Sequence, residues 1–308
     1  MCGSRTCSTR TTRPRAASTC RAAPSLWGCV RISRCIACAI ALALAGAGAT
    51  ADEVPRRVVS MNACTDQLAM LLADEGQLIS VSHLAADPRI SAMAEAAANY
   101  PQNHGRAEEI YLLKPDLVLA GRYTQTATVD MLRRLGIRVA QFDPEQSLSD
   151  IPKAIEKMGA LLGREDAARA LRDGFETDLV ALTVRDGNNP RAALYFANGY
   201  TTGDRTLTGE ILRAAGFANA AAEAGFPFGG IIPLEVLVLA APDTVISGTP
   251  YPGGSRAEEV MDHPVLSALH GTVADRPTTD AAWTCGTPHV LSAIRDLQGL
   301  RDTLKGGS

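Results

Sequence analysis

One segment of the chain occurs twice in the same internal register. Residues 108–121 read EEIYLLKPDLVLAG, and residues 235–248 read EVLVLAAPDTVISG. In each copy a glutamate stands seven residues before a proline that begins a Pro-Asp pair. The glutamates, these pairs and the closing glycines all recur 127 residues apart. Proline and the residue before it resist helical continuation, so each copy predicts a short helix followed by a buried strand. The repeat therefore predicts that the chain folds into two similar lobes.

The pattern around both copies is typical of an α/β protein. Short β-branched runs alternate with loops and helices, which predicts parallel sheets covered by helices. The predicted strands are 57–61, 78–82, 117–120, 139–142 and, where the pattern restarts, 191–196. Predicted helices include one capped by Thr65, one over 130–135, and one over 207–215 that stops at Gly216.

A long helix without proline is predicted between the lobes. Residues 149–162 predict a helix that ends at Gly163, and residues 165–185 carry apolar side chains at helical spacing. At 1.5 Å per residue the second helix would be about 30 Å long. We expect a first lobe over 52–163, a linker helix over 164–186 and a second lobe over 187–308, with little hinge motion.

Residues 1–51 differ in composition from the rest of the chain. They contain seven arginines, six of the eight cysteines and no acidic residue. The segment has the order of a secretory signal peptide. Arginines come first, an apolar run too short to span a membrane follows, and Ala49-Thr50-Ala51 ends the segment. We expect cleavage after Ala51 and a periplasmic location. Residues 1–29 have no place before such a signal, so we interpret them as a spurious extension, with translation beginning near Val30.

Charge and motif content argue against several classes of protein. Residues 52–308 carry 23 basic and 33 acidic groups, so no nucleic-acid partner is expected. The sequence has no nucleophile elbow, dinucleotide-binding fingerprint or P-loop. Its five histidines lack metal-site spacing, so we expect no resident metal or cofactor. The alternative to a binding protein is an exported thiol-dependent enzyme that uses Cys64 with His83 or His289.

Together these features resemble the class III periplasmic substrate-binding proteins, the cobalamin and ferric-siderophore receptors of ABC importers. The match covers residues 55–305, where 57–60 and 65–69 look like the family's opening strand and helix. Asp66-Gln67 departs from the Thr-Glu that members often have.

The resemblance implies two Rossmann-like parallel-sheet lobes joined by one long α-helix, and no catalysis. It implies a monomer that captures a corrinoid or an iron chelate (siderophore or haem) between the lobes and delivers it to an ABC permease. By register, Glu108 and Glu235 would dock to arginines of that permease.

Candidate ligand-binding residues lie on the loops after predicted strands, where open α/β sheets bind ligands. They are Asn62, Cys64, His83, Arg122, Tyr123, Tyr200, Phe226, Phe228, Tyr251, Trp283 and Cys285. Flat aromatic faces suit a large, partly apolar ligand and lean towards a corrin ring. Three alternatives stay open: aromatics such as Trp283 could seal loop bases, Arg122 could face solvent, and Asn62 could only form a turn.

Cys64 and Cys285 are the only two cysteines after the leader. Three interpretations compete for them: unrelated buried thiols, ligands to a bound metal centre, or a disulfide. An exported domain with two cysteines favours the disulfide, provided that their Cα atoms lie within about 7 Å.

Overall fold

The first half of the chain forms one parallel sheet. The computed structural model describes residues 53–248, 255–269 and 280–306; the expected cleavage site after Ala51 and Tyr251 lie outside them. The strands are β1 (Val58–Ser60), β2 (Leu78–Ser82), β3 (Gln102–Asn103), β4 (Leu117–Gly121) and β5 (Arg138–Phe142). Their order is β3-β2-β1-β4-β5, so the strand order reverses between β1 and β4.

The second half forms a smaller parallel sheet and a separate antiparallel pair. The parallel strands are β6 (Arg191–Leu194), β8 (Ala218–Asn219) and β10 (Thr244–Ile246), in the order β10-β6-β8. The antiparallel pair is β7 (Tyr200–Thr201) with β9 (Gly230–Ile231). Two parallel α/β lobes are thereby confirmed, whereas the two-residue strands are too short for a sequence pattern to predict.

Helices cover and connect these sheets. In chain order they are α1 (Ala63–Leu72), α2 (Ala94–Ala97), α3 (Ala107–Leu112), α4 (Thr126–Arg134), α5 (Ile151–Leu162), α6 (Glu165–Leu182), α7 (Leu207–Ala214), α8 (Ala220–Glu223), α9 (Leu234–Ala240), α10 (Pro264–Leu269) and α11 (Val290–Gly306). No helix among the described residues is long and apolar enough to cross a membrane.

Two helix boundaries differ from the sequence prediction. Thr65 does not cap α1: the helix starts two residues earlier, and the side chain of Asn62 accepts hydrogen bonds from the N–H groups of Cys64 and Thr65. The α4 helix begins at Thr126, four residues before its predicted start. The sequence pattern missed the first turn because polar residues there hide the apolar periodicity.

The repeated Pro-Asp pairs make the same contacts in both lobes. Asp116 accepts hydrogen bonds from the N–H groups of Arg56 and Arg57, at the start of β1. Asp243 accepts one from the N–H of Arg191, at the start of β6. Each aspartate also donates its own N–H to the carbonyl of the arginine, at 3.0 Å from Asp116 and 2.7 Å from Asp243.

The arginine side chains complete this arrangement, which we call the strand-start clamp. Lys114 and Ala241 precede the two prolines and have positive φ angles of 48° and 44°, which L-residues rarely adopt. The guanidinium of Arg57 donates to the carbonyl of Lys114, and that of Arg191 donates to the carbonyl of Ala241. The clamp therefore holds the left-handed residue that follows each short helix and precedes its proline.

The linker helix α6 is three residues shorter than predicted and packs between α5 and α11. Its contact with α5 is close because a glycine faces it: a Cβ placed on Gly159 would clash with the Cβ of Ala168. One buried apolar cluster continues from the first sheet through α5 and α6 to the second half, including Val58, Ile155, Phe175, Leu194 and Ile294. A shared core of this kind disfavours hinge motion between the lobes.

A matched pair of glycine substitutions tests this packing. Gly159→Ala should lower the free energy of unfolding by about 1–3 kcal/mol, because the added methyl group overpacks the α5–α6 contact. Gly174→Ala, in α6, meets no atom within 4 Å and should be neutral or stabilising by up to about 1 kcal/mol. Urea unfolding of both variants measures the difference, and equal effects would contradict the close contact.

Candidate functional site

A cleft of about 810 Å³ opens at the carboxyl ends of the strands of the first sheet. Its lining residues include Met61 and Asn62 after β1, His83 after β2, His104 after β3 and Tyr123 after β4. The strand order reverses between β1 and β4, and ligands of open α/β sheets bind at such a switch point. All lining residues belong to the first half of the chain.

Two histidines stand face to face in this cleft. The rings of His83 and His104 are stacked, with centroids 5.0 Å apart and planes inclined by 20°. Both side chains are exposed, so their ring nitrogens can reach a ligand. The prediction singled out His83 but not His104, because β3 is too short to mark the loop that carries it. The signal available in the sequence was His104 between Asn103 and Gly105, a combination typical of a loop.

Neighbouring side chains fix the position of His104. Glu109 accepts a hydrogen bond from the His104 backbone N–H at 2.8 Å, and its other oxygen lies 3.5 Å from Nδ1 of the ring. Asn103, which is fully buried, donates from its side chain to the carbonyls of Ser60 and Val81. With Nδ1 turned towards Glu109, the Nε2 atom of His104 is available to the cleft, as in histidines oriented by a carboxylate.

A buried carboxylate holds the loop that carries His83. The side chain of Asp66, on α1, accepts hydrogen bonds from both the hydroxyl and the backbone N–H of Ser82. Burial raises the pKa of Asp66 to about 7, against the lowering effect of hydrogen bonds from Ser60 and Ser82. Asp66, which departs from the pattern that the resemblance predicts, therefore has a structural role next to the cleft. Both amide atoms of the adjacent Gln67 are buried without a hydrogen-bond partner among the described residues.

A small cavity of about 80 Å³ adjoins the loop after β4 and is lined by Cys64, Arg122 and Tyr123. The guanidinium of Arg122 is paired with Asp143 at 2.7 Å, and this hydrogen bond raises the pKa of Arg122 further. Arg122 thus faces a protein carboxylate at the surface. Tyr123 is 85% exposed and also lines the cleft, so its ring is free to stack on a ligand.

The aromatic candidates of the second half do not line this cleft. Tyr200 and Phe228 are exposed, and the guanidinium of Arg205 lies 5.0 Å from the centre of the Phe228 ring. Phe226 packs partly buried against the second apolar cluster. Trp283 is only 5% exposed and belongs to the main core. The prediction that its ring lies on the cleft surface is therefore corrected, and the alternative that it seals the base of a loop holds.

Cys64 and Cys285 form a disulfide that joins the N-terminal end of α1 to the segment before α11. Their Cα atoms lie 5.1 Å apart, across 221 residues of sequence. A thiol nucleophile is absent in this oxidised form, so the proposed pairing of Cys64 with His83 or His289 has no thiolate to use. Burial lowers the pKa of His289.

A second carboxylate with a raised pKa lies beside this disulfide. Glu145 lines the small cavity together with Cys64, and a Cβ placed on Gly286 would clash with its side chain. Burial raises the pKa of Glu145 to about 7. Among the described residues no group of three or more His, Cys, Asp or Glu side chains could hold a metal ion.

Glu108 and Glu235 occupy equivalent positions in the two lobes. Each lies in the first turn of a short helix, α3 or α9, and each side chain is exposed. Glu108 also lines the cleft.

Comparison with known proteins gives consistent matches. The sequence profile of the family described as "Periplasmic binding protein" matches residues 58–274. A "Cobalamin-binding protein" of Halobacterium salinarum is 30% identical over 207 residues, covering 65% of this chain and 55% of the relative. The chain thus spans about half the length of that relative. A "Vitamin B12-binding protein" of Photorhabdus laumondii is 28% identical over 200 residues, covering 63% of this chain and 71% of the relative.

Solved structures share the fold at lower sequence identity. The periplasmic haem-binding protein HutB of Vibrio cholerae superposes with a TM-score of 0.65 at 18% identity, covering 80% of this chain and 98% of its own. The periplasmic haem-binding protein RhuT of Roseiflexus gives 0.62 at 23% identity, covering 79% and 96%.

From the disulfide we predict the number of free thiols and a large part of the free energy of unfolding. Residues 52–308 should show no free thiol in denaturant and two after reduction, and closing so long a loop stabilises the fold by about 5 kcal/mol in the chain-entropy model. Thiol titration and urea unfolding of C64S/C285S measure both quantities. Two free thiols before reduction would contradict the bridge.

Asp66 predicts a pH dependence of stability. Its pKa is raised to about 7 in the folded protein and is about 3.9 in an unfolded chain, so the folded state binds the proton more tightly. Its contribution to stability should therefore fall as the pH rises from about 4 to about 7, by up to about 4 kcal/mol. Asp66→Asn should flatten this fall in urea unfolding curves.

Glu145 contributes in the same direction, because its pKa is also raised to about 7. Glu145→Gln is therefore measured alongside Asp66→Asn. A pH profile of Asp66→Asn identical to that of the unmodified protein would show that Asp66 ionises normally.

Proposed function

The chain belongs to the periplasmic binding protein family, and we propose that it is an exported receptor that captures a corrinoid or haem and delivers it to an ABC permease. The location is the periplasm, reached through a signal peptide cleaved after Ala51. The observation that carries this proposal is the pair of exposed imidazoles, His83 and His104, in the switch-point cleft.

The imidazole pair favours a metal-centred ligand with an exchangeable coordination position. Imidazole nitrogen is a preferred ligand of iron and cobalt, and Glu109 leaves Nε2 of His104 available to the cleft. A ferric siderophore is already saturated by its own oxygen donors and has no position for imidazole. A corrinoid or a haem can exchange an axial ligand. The imidazole pair therefore favours these macrocycles over a ferric siderophore.

The size and lining of the cleft support the same class. A volume of about 810 Å³ lies in the range that holds a large organic ligand. The exposed ring of Tyr123 at the rim offers a flat apolar face to a macrocycle. Among the described residues the lining includes a single arginine, Arg106, which is little counter-charge for a multiply anionic chelate.

The relatives support a binding role rather than catalysis. Cobalamin-binding and vitamin B12-binding relatives support the corrinoid, and haem-binding structural neighbours support the haem. A relative named as an ABC transporter substrate-binding lipoprotein supports delivery to a permease. The disulfide removes the thiolate on which the enzyme alternative depends.

Titration with three ligands tests the proposal. Protein comprising residues 52–308 is titrated with hydroxocobalamin, with hemin and with a ferric catecholate chelate, followed by visible absorbance. We expect a corrinoid or hemin to bind with a spectral shift that reports an imidazole ligand. The double variant His83→Ala with His104→Ala should abolish that shift and weaken binding by about tenfold or more. Glu109→Gln should weaken binding by about tenfold.

His263→Ala is the matched control, because His263 is also exposed but does not line the cleft. It should leave affinity and spectrum unchanged. Tight binding of the ferric chelate alone, unaffected by the histidine variants, would contradict the proposed ligand class.

A further inference from the structure

The Cys64–Cys285 bridge joins the two halves of the chain directly beside the cleft. Asn62 and Tyr123 line both the cleft and the small cavity that adjoins Cys64. Cys64 is the second residue of α1, and Asn62 is the cap of that helix. The bridge therefore holds the end of the helix that carries a cleft residue, and a change in the bridge reaches the cleft through a shared wall.

Several buried polar atoms on the two bridged elements have no hydrogen-bond partner among the described residues. Gln67 lies three residues after Cys64, on the same side of α1, and neither atom of its amide is paired. On the segment of Cys285 the same holds for the hydroxyl of Thr287 and for Nε2 of His289. Polar atoms that are buried without partners oppose the closed arrangement that buries them.

We call residues 64–67 and 285–289 the bridged segments. Among the described residues, the disulfide joins these segments and no hydrogen bond runs between them. The closed arrangement thus has a covalent bond in its favour and the burial of unpaired polar atoms against it. Without the bond, these atoms would gain hydrogen bonds to water if the segments separated.

The two sulfur atoms differ in their access to solvent. Cys64 is half-buried and lines the small cavity, whereas Cys285 is only 1% exposed. An incoming thiol therefore reaches Sγ of Cys64, and the thiolate that leaves in thiol–disulfide exchange is that of Cys285. In a second exchange step Cys64 leaves at the N-terminal end of α1, a position that stabilises negative charge.

A carboxyl group stands beside the buried sulfur. A Cβ placed on Gly286, the residue after Cys285, would lie 2.8 Å from a carboxyl oxygen of Glu145. Burial raises the pKa of Glu145 to about 7, so below neutral pH this carboxyl carries a proton. A protonated carboxyl at this place can act as a general acid towards the leaving thiolate of Cys285.

We propose that the Cys64–Cys285 bridge is a redox latch, which a dithiol reductant opens so that the bridged segments separate locally. As a consequence the cleft exchanges its ligand faster, and this part of the inference rests on the proposed function. The main core that the two halves share stays closed.

The reaction consumes one dithiol for each bridge. A thiolate of the reductant attacks Sγ of Cys64, the S–S bond breaks, and Cys285 leaves as a thiolate that takes the proton of Glu145. The second thiolate of the reductant then displaces Cys64 from the mixed disulfide. Water accepts the two protons of the dithiol and returns protons to Glu145 and Cys64. The bridge gains two electrons and two protons, and the dithiol is oxidised to a disulfide.

The rate of reduction in the folded state tests the latch. Protein comprising residues 52–308 is incubated with dithiothreitol at pH 6.5 without denaturant, and free thiols are counted over time. We expect complete reduction of the folded protein. Glu145→Gln should react about tenfold more slowly or less than that, because it lacks the acid. At pH 9, where Glu145 is ionised, the two rates should converge.

Asp143→Asn is the matched control for Glu145→Gln. Asp143 also lines the small cavity, but its carboxylate is paired with Arg122. Its substitution should leave the rate of reduction unchanged. Equal rates for Glu145→Gln and the unmodified protein at pH 6.5 would overturn the role of Glu145 as the proton source.

Hydrogen exchange locates the opening. After reduction, amide exchange should become faster in residues 64–67 and 285–289 and stay unchanged in β4, which lies in the core of the first sheet. Exchange that rises throughout the chain, or reduction that proceeds only in urea, would make the bridge a purely structural link and overturn the latch. The receptor function would stand in either case.

Ligand release tests the consequence for the cleft. Bound hydroxocobalamin or hemin should leave C64S/C285S about tenfold faster than it leaves the oxidised protein. This variant replaces the reduced form because thiol reductants react with both ligands. Equal release rates would overturn the link between the latch and the cleft. If neither ligand binds, the proposed ligand class fails, and the reduction and exchange measurements still decide the latch.

Discussion

In each half of the molecule one aspartate ties the start of the first strand to the end of a later helix. Asp116 and Asp243 accept hydrogen bonds from backbone N–H groups at the starts of β1 and β6, and Arg57 and Arg191 donate to the carbonyls of the left-handed residues before proline. The clamp sets where a short helix stops and where the next strand begins. The cleft edge and the two outward glutamates both depend on that geometry.

The two lobes are held together more firmly than a flexible hinge would allow. The close contact of α5 with α6, the shared apolar core and the Cys64–Cys285 bridge each join the first half of the chain to the linker helix or to the second half. If the chain is the proposed receptor, a shared core of this kind means that its affinity comes from preformed groups in the cleft. This explains why buried groups such as Asp66 and Asn103 are used to position the loops that carry the histidines.

The cleft and the outer faces of α3 and α9 offer different chemistry. The cleft offers the imidazoles of His83 and His104 and the ring of Tyr123. The outer faces of α3 and α9 offer a carboxylate and a leucine. Glu108 belongs to both surfaces, since it lies in the first turn of α3 and also lines the cleft.

The sequence by itself determined the duplication, the alternation of strands and helices, and the linker helix, because local periodicity and proline restrict the backbone without help from distant residues. It also placed Asn62, His83 and Tyr123 on the loops that line the cleft, since those loops follow β-branched or apolar runs that are recognisable as strands in the sequence. Tertiary structure alone decided that His104 stacks on His83, that Trp283 is buried, and that Arg57 and Arg191 are matched. Those outcomes depend on contacts between residues far apart in the chain, and the two arginines lie outside the 127-residue register in which the repeat was recognised.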